Sequence, residues 1–111
     1  MNSTQLVRVC SLADVPDGGS KAFKIGGQQL AVFRSKGNVY VTSNICSHEH
    51  EFLSDGWLDG SVVECPRHGA QFSLVTGEPL SLPATEPIEV FAVKLEDGEI
   101  FVDLPAEYLN P

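Results

Sequence analysis

Cysteine is scarce in this chain: three residues in 111. That count is odd and too low for a disulfide-stapled secreted scaffold. Long apolar runs are also missing, and no window approaches the roughly 18 residues that a membrane span needs. The opening residues, Met1-Asn2-Ser3-Thr4-Gln5, offer no basic n-region and no apolar h-region. No secretory signal is visible, and a cytoplasmic protein is expected. Basic residues are few, 7 against 15 acidic ones, for a formal charge of −8. Such a surface repels nucleic acid, whose binding relies on Lys and Arg displacing counterions. It suits partners with basic docking patches, although solubility alone would also account for it. No nucleophile–base pair and no Gly-rich nucleotide loop is recognisable, so bond-making catalysis has no candidate residues.

What is present reads as one all-β domain. Short segments rich in Val, Ile, Phe and Leu alternate with Gly, Pro, Asn and Asp. Strands are expected at Leu6–Cys10, Ala22–Ile25, Gln29–Ser35 and Val39–Thr42, then at Ser61–Glu64, Gln71–Leu74, Glu89–Leu95 and Glu99–Leu104. Gly26-Gly27, Lys36-Gly37-Asn38 and Glu96-Asp97-Gly98 mark hairpins. Ser11-Leu12-Ala13-Asp14 reads as a capped single turn. No window of about ten residues has helical periodicity. Residues 44–84 are denser in turns and hold two cysteines and all three histidines. They read as a small subdomain inserted in an antiparallel β base made of residues 1–43 and 85–111.

Two local motifs carry the chemistry: Cys46-Ser47-His48 and Cys65-Pro66-Arg67-His68, with sixteen residues between His48 and Cys65. Each follows an apolar strand, so two strand-end loops could converge on one site. Two thiolates and two imidazoles could hold one Zn²⁺ tetrahedrally. Zinc sites, however, usually pair Cys with Cys and His with His along the chain. Here each loop offers one of each. A Rieske [2Fe–2S] centre places two cysteines on one iron and two histidines on the other, so each loop can bridge both irons. Cys46, His48, Cys65 and His68 are the candidate ligands, with His50 a rival to His48.

The pattern C-S-H, sixteen residues, then C-P-R-H-G resembles the Rieske family. Within it, the chain is similar to the small ferredoxins of bacterial aromatic-ring-hydroxylating dioxygenases. Leu53-Ser54-Asp55-Gly56 after the first motif and Val63-Glu64-Cys65-Pro66 at the second carry that likeness. The resemblance implies a Rieske fold and one Rieske-type [2Fe–2S] cluster. Cys46 and Cys65 would ligate the inner iron, His48 and His68 the outer one, with the histidine edges as the electron exit. It implies a non-catalytic electron carrier between a flavin-dependent ferredoxin reductase and a terminal Rieske oxygenase. Gly69 would let backbone amides approach the cluster, and Leu82-Pro83-Ala84 matches the family's covering proline loop. A small subunit of another reductase or monooxygenase system, or a zinc-stabilised binding module, are the alternatives.

Some residues depart from the family's respiratory branch. Glu49, His50, Glu51 and Arg67 stand in the loops that hold an extra disulfide there. Ala70 and Phe72 appear where that branch offers Ser and Tyr hydroxyls to the cluster. Donors to sulfur stabilise the reduced cluster, so a potential near the low end of the Rieske range is expected. Glu49 stands where glycine is common, and would be strained if φ there is positive. Other residues read as structural. Cys10 is expected to pack as a small apolar residue. Trp57, with Phe52, Leu53 and Phe72, is expected in the small core under the loops. The acidic run from Glu96 to Glu99 reads as a solvated hairpin tip, and Arg67 as solvated or facing a partner's acid.

Overall fold

The computed structural model describes residues 4–45, 52–66, 69–82 and 86–109. Ten strands account for the regular structure: β1 (Thr4–Ser11), β2 (Gly19–Ile25), β3 (Gln28–Ser35), β4 (Asn38–Ser43), β5 (Trp57–Asp59), β6 (Val62–Glu64), β7 (Gln71–Ser73), β8 (Val90–Phe91), β9 (Val93–Glu96) and β10 (Glu99–Pro105). They form three antiparallel sheets, ordered β1-β10-β9, β2-β3-β4-β8 and β5-β6-β7. The described residues contain only single-turn helices, and no helix is long and apolar enough to cross a membrane.

The hairpins follow from their turn residues. Gly26-Gly27, Lys36-Gly37 and Asp97-Gly98 all have positive φ at both positions. That is the geometry of a two-residue turn whose twist matches the flanking strands. The registers Ile25↔Gln28, Ser35↔Asn38 and Glu96↔Glu99 close directly on them. Lys36 adopts φ 53° without being glycine. The expected turn at Ser11–Asp14 is a 3-10 turn over Leu12–Asp14, where the Ser11 N–H donates to Asp14 Oδ2 at 3.0 Å. Arg34 donates to the Leu12 and Val15 carbonyls and ties this turn to β3.

Strand β3 is buried on both faces. Alternation sends Leu30 and Val32 to one side, where they pack with Cys10, Val41, Ile100 and Val102. It sends Ala31 and Phe33 to the other, where they pack with Leu53, Val63, Cys65 and Phe72. One strand therefore builds two cores, and the second includes Cys65.

Two expected elements differ. The single strand expected at Glu89–Leu95 is two strands. Val90 and Phe91 pair with Thr42 and Val41 of β4. The chain then breaks at Ala92, whose carbonyl accepts from Asp103 N–H at 3.0 Å, and Val93 pairs with Val102 in the other sheet. A continuous apolar run cannot reveal which neighbour each half takes. Strand β5 was not expected, because three residues between two glycine turns show no usable alternation.

Candidate metal centre

The first loop, residues 46–51, lies outside the described residues, and with it Cys46, His48, the rival His50 and the expected strain at Glu49. Its stem is well defined. Ile45 and Phe52 form an antiparallel bridge across the loop ends. Buried Asn44 organises the stem: its N–H donates to the Gln29 carbonyl at 2.9 Å, its own carbonyl accepts from Leu53 N–H at 2.8 Å, and Oδ1 accepts from Ser54 N–H at 2.8 Å. An asparagine side chain mimics backbone, which suits a strand end where the ladder stops. Sequence reading did not single out Asn44. Its only signal was a turn-former placed directly after an apolar strand.

The second loop begins where β6 ends. Cys65 is 1% exposed and sits in the core with Leu53, Val63, Ala70 and Phe72. The Cys65 N–H donates to the Ala70 carbonyl at 2.7 Å, and the Gly69 N–H donates to the Cys65 carbonyl at 3.2 Å. These bonds close a tight turn over 65–70, within which Arg67 and His68 lie outside the described residues. Gly69 has φ +72°, and a Cβ there would meet only the Glu64 carboxyl carbon at 3.9 Å. The left-handed backbone favours glycine here, and among the described residues nothing crowds the position.

The segment before 83–85 is strapped to β7. Phe72 bridges Pro79, the Leu80 N–H donates to the Gln71 carbonyl at 2.7 Å, and the Gln71 N–H donates to Ser81 Oγ at 3.0 Å. Pro83 and Ala84, the expected covering loop, lie outside the described residues. The stems of the two cysteine loops share a wall. Gly56, just past the first loop, has its α-carbon against the Glu64 carbonyl, and any Cβ would collide with it. The next residue after Glu64 is Cys65. The stems of both motifs thus meet over one apolar core.

A buried thiol-bearing residue at the mouth of a glycine turn, next to the stem of a second Cys/His loop, fits the donor set of a mixed Cys/His centre. Cys10 does not belong to it. It packs in the other core, where burial first and then the Asp14 carboxylate push its thiol pKa up, so it stays protonated and a poor ligand. Ala70 and Phe72 are fully buried, and neither offers a side-chain donor.

Three expectations about neighbouring residues are corrected. Trp57 is 62% exposed, because it opens an edge strand and points away from the core that Leu58 packs against. Phe52 is 40% exposed at the rim of the first loop, while Leu53 and Phe72 are buried as expected. Glu99 is not simply solvated: it accepts from Ser11 Oγ at 2.7 Å and pairs with Arg8 at 3.2 Å.

A model of the Rieske [2Fe–2S] domain matches residues 5–92. The 3-phenylpropionate/cinnamic acid dioxygenase ferredoxin subunit of Escherichia coli K12 is 43% identical over 101 residues, spanning 89% of this chain and 93% of that protein. The solved ferredoxin of Sphingomonas yanoikuyae B1 superposes with a TM-score of 0.85 at 38% identity, over 91% of this chain and all of that one. The ferredoxin in a complex of reduced oxygenase and oxidised ferredoxin of carbazole 1,9a-dioxygenase gives 0.81 at 40% identity, over 87% and 91%.

Proposed function

The chain belongs to the Rieske [2Fe–2S] domain family, and from that premise we propose that it passes single electrons from a flavin-containing, NAD(P)H-dependent reductase to the terminal Rieske oxygenase of an aromatic-ring dioxygenase system. It is the electron-transfer component of such a system and not a catalytic subunit. The observation that carries the reading is the buried Cys65 turn set against the stem of the Cys46/His48 loop.

In this reading Cys46 and Cys65 would hold one iron, and His48 and His68 would hold the other. When bound, the cluster supplies one reversibly stored electron. The chain supplies the rest. Leu53, Val63 and Phe72 keep water from the Cys65 side of the site. The bonds among Cys65, Gly69 and Ala70 hold the backbone on either side of residues 67–68. Neither Ala70 nor Phe72 offers a side-chain hydrogen-bond donor, which favours a low potential and a flavin over a quinol as donor. We place residues 44–84 as the cluster-binding subdomain and the remainder as its base. The protein works in the cytoplasm, where a reductase draws on NAD(P)H.

Visible and EPR spectroscopy test this reading. The purified protein should be red-brown and, once reduced, show a rhombic Rieske signal. A colourless protein containing zinc would refute it. Retention of the cluster in a His48→Cys variant, with a lower potential, supports His48 as ligand. Loss on changing His50 but not His48 would overturn that choice.

A further inference from the structure

The outer face of the β5-β6-β7 sheet has no role in holding a cluster, yet it is not an ordinary solvated face. The registers place Trp57, Glu64 and Gln71 in one row, and the Leu80 N–H bond to the Gln71 carbonyl extends that row to Leu80. A second row runs Asp59, Val62, Ser73, and reaches Glu78 through the Ser73 N–H bond to its carbonyl. Strand alternation turns both rows away from Val63 and Phe72, which face the core. Trp57 is 62% exposed and Leu80 52%, so the first row ends in an apolar side chain at each side. Between them Gln71 Nε2 donates to Glu64 Oε1 at 3.2 Å, which presents the pair as one polar unit. Asp59 and Glu78 stand exposed in the second row.

Charge sharpens the picture. Residues 44–89 carry eight acids and a single base, Arg67, whereas the rest of the chain carries seven acids and six bases. Among the described residues of 52–82 there is no base at all. The chain's only tryptophan is therefore held in water on an acidic sheet face. Tryptophan is the residue most enriched at binding hot spots, where it fills a desolvated pocket.

We propose that this face is a docking surface for a redox protein that presents Lys and Arg around an apolar recess, the recess taking the Trp57 indole and the cations meeting Asp59 and Glu78. The proposal rests on the electron-carrier reading, which supplies such partners. A second copy of this chain is disfavoured, because a two-fold contact would set Asp59 and Glu78 against their own counterparts. Nucleic acid is disfavoured by the same charge. The face is continuous with the site: β6 leads from Val62 directly into Cys65. A partner seated here lies against the flank of the ligand loop.

The test is calorimetric titration of the cluster-loaded protein with its purified reductase and, separately, its purified oxygenase. Two variants are compared with the wild type: Trp57→Ala, and the double change Asp59→Lys with Glu78→Lys. Trp57→Ala should weaken binding to at least one partner about tenfold. The double variant should weaken the same complex at low salt and flatten its salt dependence. The EPR spectrum and reduction potential should stay as in the wild type, which a structural defect would not allow. If Trp57→Ala loses its cluster, the double variant decides, since both its sites are exposed. Binding of both partners within about twofold of wild type, for the deciding variant, overturns the docking face while leaving the electron-carrier role intact. A wild-type protein that neither binds nor exchanges electrons with either partner overturns the role itself, and the docking face with it.

Discussion

Strands β1 and β10 pair at seven register positions, as do β2 and β3, whereas β5, β6 and β7 pair at three each. The long ladders hold the base by backbone hydrogen bonds over a continuous core. The segment between β4 and β8 has too little ladder for that. It is held by turns, by Asn44, and by borrowing one face of β3 through Ala31 and Phe33. An inserted segment whose core includes another sheet's strand is not an independent folding unit. The contrast also separates charge: one region is nearly neutral, the other is acidic and contains the candidate ligands.

The largest expected break in this contrast comes at Cys65. Cys65→Ser should abolish the visible absorbance and the EPR signal, because serine is a poor substitute for a thiolate ligand. The base should survive it: far-UV circular dichroism should keep its β signature, since the β1-β10-β9 sheet draws on the other core. Collapse of both together would show that the two regions stand or fall as one.

Phe33→Ala tests the borrowed face. Removing a buried Phe costs about 3–5 kcal/mol in a core of this kind. Leu30→Ala, on the opposite face of the same strand, costs about 2–5 kcal/mol. The two should differ in kind more than in size. Phe33→Ala should release the cluster at urea concentrations below global unfolding, followed by loss of colour, whereas Leu30→Ala should lose colour and structure together. Identical order in both variants would dissolve the distinction between the cores.

Glycines make a smaller comparison. Gly77 and Gly37 have almost the same φ, +82° and +81°. Among the described residues, a Cβ on Gly37, in a base hairpin, meets nothing within 4 Å, while on Gly77 it runs into the Ile88 carbonyl. That carbonyl belongs to the chain's return from the acidic segment, and the Ile88 N–H also donates to the Gly77 carbonyl at 2.9 Å. Gly37→Ala should cost only the left-handed strain, about 1 kcal/mol. Gly77→Ala adds a backbone collision and should cost more than about 2 kcal/mol by urea unfolding. Ala70→Ser is of similar scale but reads in potential: one donor to sulfur worth about 1–2 kcal/mol more in the reduced state raises it by roughly 40–90 mV. No upward shift in a spectroelectrochemical titration would remove Ala70 from the list of potential-setting positions.

The same contrast explains what could be read from sequence. Strands β1, β3 and β10 are apolar-rich over seven or eight residues, and the turns beside β3 and β10 carry Gly-Gly, Lys-Gly or Asp-Gly, so their placement followed from composition and turn residues. The family and its cluster type were legible for another reason: two matched Cys/His motifs encode chemistry that needs no periodicity. Burial in the acidic segment was legible only in part: Leu53 and Phe72 are buried as expected, Phe52 and Trp57 are not. Phe52 and Trp57 look like core residues by type, but a three-residue edge strand and a loop stem decide their exposure, and neither leaves a repeat to detect. The break at Ala92 was hidden because both halves of the run are apolar and only sheet membership separates them.

The smallest effect belongs to the base. Glu99 accepts from Ser11 Oγ and pairs with Arg8, and these two contacts, the hydroxyl first, hold its carboxyl below the ordinary carboxylate value near 4.5. Unfolding frees the carboxyl, so in acid the unfolded chain binds more protons and stability rises with pH. The contribution is full above the ordinary value and is lost as pH falls through the lower folded one. Glu99→Gln should therefore lower the urea midpoint slightly at neutral pH, and the gap to wild type should close in acid. The pair is exposed and screened, so the gap should also shrink in about 0.5 M salt. The cluster potential should not move, because Glu99 lies on the β1-β10-β9 sheet and not on the acidic segment. A potential that followed this substitution would mean that the base, too, tunes the site, and the division of labour between the regions would have to be redrawn.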